Sequence, residues 1–357
     1  LKLDYNWPQY YKKNIKSRLK KNLSIINSKI RTPIKNKNLR LIDATKVAVK
    51  KRFVSDVKVQ LALSGGIDST SIAVLTKKMN LEKFVKKTLT VVSSSRPTES
   101  NKAKQTSKFL GLKNISINFD NINFLDELKL AIKNFGGPLS HPHTIACGLL
   151  CKQARRNGKV LITGEGADDM FFGYSHHSKK NINSFAFRKF INLNSFFKKI
   201  KKTKSRYKKL RVFANLNMEN CRDLEFKTHL LSLLRRNDKM SMANSVEIRA
   251  PFLDPFLFNL VGDLKNNDKT LKKKNFLINY LKKEHPNYVK DKKKIGFYVP
   301  FDDWFDKNSK SLIIKEYITL AVKFIEKKFG LKLRNFSLIK NRLAWVLLNI
   351  GIFIKQN

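Results

Sequence analysis

Residues 64–70, SGGIDST, place two glycines, three hydroxyls and a carboxylate in seven positions. An apolar run, VKVQLAL (57–63), precedes them, and SIAVL follows within a helical pattern. A turn alone needs one glycine and an Asp or Asn. The surplus of donors suits an anion. Gly65 and Gly66 let the backbone approach a ligand closely, free amides at a helix start point outward, and the helix dipole favours negative charge. Ser64, Ser69 and Thr70 add hydroxyl donors. The stretch lacks the Gly-Lys-Ser/Thr of a Walker loop and the spacing of a GxGxxG fingerprint. Asp68 is its distinctive member. A carboxylate among phosphate oxygens is repelled unless a cation lies between them, so Asp68 calls for Mg²⁺.

A second acidic group follows the apolar run KVLITG (159–164): Glu165, Asp168 and Asp169 in GEGADD. If that run is a parallel strand, these acids sit at its carboxyl end, where open α/β sheets bind ligands, and Asp68 lies at the same end of another strand. Two carboxylates converging on a polyphosphate hold Mg²⁺ through a few oxygens, with waters and phosphates as the other ligands. Other residues offer less. His141, His143, His176 and His177 fit no zinc spacing, and Cys147 and Cys151 have the i,i+4 separation of a core pair. Arg249 and Asp254, in EIRAPFLD, read as a structural pair. In a lysine-rich chain a lysine is by default a surface residue.

The elements that must position these groups follow from periodicity. NLRLIDATKVAVKKRFVSD, from about residue 38, has apolar residues at helical spacing. Short apolar runs at 57–63, 87–92 (KTLTVV), 113–119 (KNISINF) and 159–164 read as strands. Helical patterns lie between them, at STSIAVLTKKMN, NKAKQTSKFLGL, NFLDELKLAIKNF and HTIACGLLCKQARRNG. Strands alternating with helices predict a parallel sheet covered on both faces, a doubly wound α/β fold. Beyond about residue 180 amphipathic helical segments dominate. The closing LAWVLLNIGIFI falls short of the roughly 18–20 residues of a membrane span, so it reads as a core helix. Residues 1–40 form a basic arm without a motif, or a remnant linker, and 41–357 the main domain.

Composition adds bounds. With 357 residues and 42% hydrophobic content, a sizeable core is available and a disordered chain is excluded. Three cysteines make no disulfide framework, which points to a reducing cytoplasm. Lys and Arg number 74 against 27 Asp and Glu, for a net charge of +47. Such a field attracts nucleic acid. The same excess follows from AT-rich codon usage, with Lys, Asn, Ile and Phe abundant throughout. Charge alone does not settle the partner.

SGGIDS resembles the SGGxDS loop of the ATP pyrophosphatases that cleave ATP between the α- and β-phosphates. Within that group, TGEGADDMFFGY (163–174), RNDKMSMANSVEIRAPFLD (236–254), KIGFYVPFDDWF (294–305) and NRLAWVLLNIGIF resemble, in order, segments of the synthetase domain of asparagine synthetases. The likeness runs from about residue 41 to the end. It implies a sheet of the adenine nucleotide alpha-hydrolase (PP-loop) type and ATP and Mg²⁺ as cofactors. It implies Asp68 and Asp168 as metal ligands, Glu165 as the base assisting ammonia, and Lys294 and Lys239 as contacts to phosphate or acyl-adenylate. The implied nucleotide site comprises Leu63, Ser64, Gly65, Gly66, Asp68, Ser69, Thr70, Val92 and Gly164. The implied reaction joins a small-molecule carboxylate, aspartate first, to ammonia with formation of AMP and pyrophosphate.

There are departures. Phe172 stands where the family has glycine, and FGGPLSHPH, with Gly136 and Gly137, replaces an Asp-Glu-Pro segment bordering the acceptor pocket. The family's glutaminase domain, with its N-terminal cysteine, has no counterpart in the arm, so a separate or missing glutaminase is expected to supply ammonia. Relatives acting on sugar acids or β-lactam precursors share the scaffold. A tRNA-modifying enzyme of the PP-loop group is a further reading, disfavoured by GEGADD and EIRAPFLD.

Overall fold

The structure, a computed structural model, describes residues 37–94, 97–174, 197–198, 230–262, 274–285, 299–330, 332–333 and 341–357. Most of the basic arm lies outside these residues, and helix α1 (Lys37–Lys51) runs across residue 40. A five-stranded sheet forms the centre, from β1 (Val59–Ala62), β2 (Val85–Val92), β3 (Asn114–Asn118), β4 (Val160–Ile162) and β5 (Glu247–Arg249). Every pairing is parallel and the spatial order is β3-β2-β1-β4-β5. Register is set through the centre: Leu61 lies opposite Thr88 on one side and Ile162 on the other. The expected doubly wound sheet is present. Its fifth strand, within EIRAPFLD, was not anticipated. Three residues give too short a run for periodicity to register, and their partner β4 is far away in sequence.

Alternation along the strands sends side chains to both faces. Val59, Leu61, Val160 and Ile162 face α1, α2 (Ile67–Lys78), α3 (Pro97–Leu110), α8 (Pro255–Gly262) and α9 (Asn275–Glu284) in one core. Leu89 and Leu161 turn the other way, onto Ala154 of α5 (His143–Asn157). Beyond them a second core gathers α4 (Phe124–Phe135), α10 (Phe301–Asn308), α11 (Leu312–Phe329) and α12 (Asn341–Gln356). The apolar C-terminal segment is a buried helix, as its length required. It also holds the loop between α4 and α5: Trp345 Nε1 donates to the Leu139 carbonyl at 3.0 Å, and Asn349 Oδ1 accepts from the Leu139 amide at 3.1 Å. Among the described residues no helix is long and apolar enough to cross a membrane.

Arg249 and Asp254 do not pair. Arg249 binds Glu247 at 2.9 Å and donates to the carbonyls of Arg52 and Val54. The buried Asp254 carboxylate takes Arg52 at 2.7 Å and the amide of Phe256 at 3.0 Å. The two charges lie on either side of a turn, and each finds a nearer partner on or just after α1.

Candidate active site

β1 occupies the middle of the sheet, and chain growth reverses direction between it and β4. The crevice outside the carboxyl ends of these two strands is therefore the topological switch point, where such sheets take ligands. Residues 63–70 leave β1 into this crevice, and residues 163–174 leave β4 into it. Between β1 and α2, Gly65 adopts a left-handed backbone (φ 74°). Gly66 then starts α2 with no side chain capping it. Ser64 and Ser69 brace the turn: their hydroxyls lie 3.1 Å apart, Ser69 Oγ accepts from the Ser64 amide, and Ser64 Oγ accepts from the Gly66 amide. Thr70 is buried, and its hydroxyl has no hydrogen-bond partner among the described residues. Gly164 closes the other wall. A Cβ there would stand 3.0 Å from the Asp68 Cβ and from the Ser69 amide nitrogen, so a side chain would push the two turns apart by a few tenths of an ångström.

Asp68, in the first turn of α2, and Asp168, in the short helix α6 (Ala167–Met170), converge on one cation. That cation is Lys274, at the N-cap of α9. Its Nζ lies 2.6 Å from both Asp68 carboxylate oxygens and 2.6 Å from Asp168 Oδ1. Its side chain is 4% exposed. Burial alone would push the ammonium's pKa down, but the two carboxylates outweigh it and hold it above the ordinary lysine value. The backbone of Lys274 is left-handed (φ 62°). Gly173 gives the stem its room, since a Cβ there would come within 1.9 Å of Asp168 Oδ1 and 2.4 Å of Lys274 Cε. Phe172 keeps a left-handed backbone (φ 52°) where family glycines are expected, and its ring is buried in the core beside α6.

Glu165, just before α6, accepts from Arg236 Nη2 at 2.8 Å through Oε1. Arg236 lies on α7 (Leu231–Met242) and also donates to Asn237 Oδ1, which receives the Cys147 thiol at 3.5 Å. Oε2 of Glu165 is buried with no hydrogen-bond partner among the described residues, although 26% of the whole side chain is exposed. Burial raises the carboxyl's pKa above the ordinary glutamate value; Arg236 opposes this, and Asp169 adds to it. Behind them, Cys151 is buried, its thiol pKa raised by a hydrogen bond to Cys147 and by burial, as an inert core cysteine.

Of the residues picked out in the sequence, Asp68, Asp168, Glu165, Gly164 and the 64–70 turn surround one crevice. Leu63 is buried beneath the turn, its amide bonded to the Leu89 carbonyl, and Val92 ends β2 on the same side of the sheet. Lys239 points away. It is exposed on α7, whose inward face carries Arg236, Asn237 and Met240 instead. Lys294, His176, His177 and Cys221 lie outside the described residues. Among the described residues no three His, Cys, Asp or Glu side chains form a metal-binding group. Sequence reasoning missed Lys274 and Arg236. The first is hidden in the run LKKK (271–274); the second has a signal, the i,i+4 spacing to buried Met240.

The sequence model for asparagine synthase matches residues 40–321. Asparagine synthetase [glutamine-hydrolyzing] 1 of Bacillus subtilis is 27% identical over 352 residues, covering 82% of this chain and 54% of that protein. Asparagine synthetase [glutamine-hydrolyzing] 2 of Oryza sativa is 25% identical, covering 63% of this chain and 34% of that protein. The chain thus spans about half the length, or less, of these curated relatives. Among solved structures, the U34-tRNA thiolase NcsA from Methanococcus maripaludis aligns over 72% of this chain and 84% of that one at 13% identity. Its TM-score is 0.30, too loose an overlap to bear on substrate. With most of its length matched, the chain belongs to the asparagine synthase family.

Proposed function

We propose that the chain forms amides at the expense of ATP. A small-molecule carboxylate attacks the α-phosphorus of ATP, pyrophosphate leaves, and ammonia displaces AMP from the resulting acyl-adenylate. The observation that carries this reading is the meeting of Asp68 and Asp168, from the turns after β1 and β4, on a single cation. The residues fit Mg²⁺: two carboxylates already bracket one positive charge, that of Lys274, beside a glycine-rich helix start. When bound, Mg²⁺ would be held by Asp68 and Asp168 and would offset charge on the polyphosphate.

The chain's own groups do the rest. The amides opening α2 and the Ser64 hydroxyl face phosphate oxygens, where the helix dipole favours negative charge. Positioning dominates, since adenylation needs the carboxylate in line with the leaving pyrophosphate. Glu165 serves the second half. As ammonia's nitrogen bonds to the acyl carbon, the carbon–oxygen bond to AMP breaks and a proton must leave the nitrogen. The Oε2 oxygen of Glu165 accepts it, while Arg236 holds Oε1 and fixes the carboxylate's orientation. Lys294 is proposed to meet phosphate or adenylate oxygens. The acceptor is aspartate or a related acid, such as a sugar acid or β-lactam precursor.

The test is an assay of AMP, pyrophosphate and amide with ATP, Mg²⁺ and ammonium. Aspartate is supplied first, then other carboxylic acids. One AMP and one pyrophosphate should appear for each amide. ADP and orthophosphate as the nucleotide products would refute the reading.

The site also predicts a close-packing variant. Gly173→Ala puts a methyl group into the space of Asp168 Oδ1 and Lys274 Cε. Displacing a catalytic group by about 1 Å can cost on the order of 10²-fold, so a loss of that order in AMP formation is expected. Circular dichroism should show the fold retained. Wild-type rates in this variant would mean that the carboxylates need not sit where they do.

A further inference from the structure

Lys274 occupies the place between the two carboxylates through a built arrangement. It is the N-cap of α9, it takes a left-handed backbone that L residues other than Asn and Asp seldom adopt, and its ammonium is almost fully buried. Gly173 is bare where a Cβ would strike its Cε. Surface lysines need none of these devices.

The charges then set an order of events. Asp68, Asp168 and Lys274 together carry one net negative charge. A divalent cation added beside them makes the group net positive inside a crevice, with the ammonium and the metal competing for the same oxygens. Two cations within a few ångströms in a poorly solvated site repel strongly. A polyphosphate removes the conflict, because its oxygens can accept the displaced ammonium while the metal takes the carboxylates.

We propose that Lys274 is a resident cation that excludes free Mg²⁺ from Asp68 and Asp168, so that the metal enters only together with the nucleotide. This rests on the proposed role of Asp68 and Asp168 as metal ligands. Lys274 acts here as a positioning residue: it keeps the two carboxylates in place and charge-balanced until the metal–nucleotide complex arrives.

The experiment measures Mn²⁺ binding by electron paramagnetic resonance, and the thermal midpoint with and without Mg²⁺, all in the absence of acceptor. Wild-type protein without nucleotide should bind Mn²⁺ weakly, and its midpoint should not respond to Mg²⁺. Lys274→Met should bind Mn²⁺ at least about tenfold more tightly. Its midpoint should fall in chelator and recover on adding Mg²⁺, and the double variant Lys274→Met/Asp168→Asn should lose that recovery. Equal metal responses in wild type and Lys274→Met overturn the proposal. Tight nucleotide-free Mn²⁺ binding by the wild type also overturns it, and that arm needs no variant to fold. A separate arm adds a non-hydrolysable ATP analogue to the wild type and to Asp168→Asn. If both then bind Mn²⁺ alike, the ligand assignment itself is wrong, which distinguishes that failure from failure of the exclusion.

Discussion

Asp68→Asn and Asp168→Asn each abolish the Mg²⁺-dependent exchange of labelled pyrophosphate into ATP, by on the order of 10³-fold or more. Exchange reports adenylation alone, because it needs only the reversible attack of the acceptor on the α-phosphorus. Each carboxylate supplies half of the negative field that holds a cation at the switch point. Asparagine keeps the shape and removes the charge, so the loss is electrostatic and not one of packing. The fold should persist, since Lys274 retains one carboxylate in either variant and its stem stays buried. Normal exchange by both variants with the true acceptor would show that the metal site lies elsewhere.

Glu165→Gln separates the two halves of the reaction. Exchange should continue near the wild-type rate, while amide formation falls about 10²–10⁴-fold, the usual worth of a positioned general base. The pH dependence follows from the site's electrostatics. Glu165 accepts a proton only when ionised, and burial raises its pKa. Amide formation should therefore fall as pH drops through a value above the ordinary glutamate range. Arg236 pulls the other way, so Arg236→Met should move that acid limb to higher pH. The limb for pyrophosphate exchange should stay where it is. A Glu165→Gln enzyme that makes amide normally, or one that loses exchange and amide formation equally, removes Glu165 from the role of base.

Much of this site was legible because its signals are local. SGGIDST and GEGADD each follow an apolar run, and the carboxyl ends of parallel strands must lie on one side of a sheet. That places Asp68 and the acids of GEGADD at one end of the sheet, and the family resemblance singles out Asp168 among them. Lys274 was not expected, since nothing distinguishes it from Lys272 and Lys273 in a chain with 74 basic residues. Its importance lies in where α9 starts, in a left-handed backbone that lysine seldom marks, and in the bare Gly173 a hundred residues earlier. Lys239 and Arg236 show a different limit. Both stand in the segment that resembles the family, but helical phase turns Arg236 inward with Met240 and Lys239 outward. Arg249 and Asp254 were misread because residues five apart were paired with each other. Arg249 pairs instead with Glu247, and both residues bind Arg52 or its neighbours, some two hundred residues earlier.

Adenylation is tested most directly by the fate of the acceptor's oxygen. With the reacting carboxylate of the acceptor labelled with ¹⁸O, ATP, Mg²⁺ and ammonium are added, and AMP is analysed by mass spectrometry. Attack on the α-phosphorus predicts one labelled oxygen in AMP for each amide formed. Unlabelled AMP, or label recovered in orthophosphate beside ADP, contradicts it.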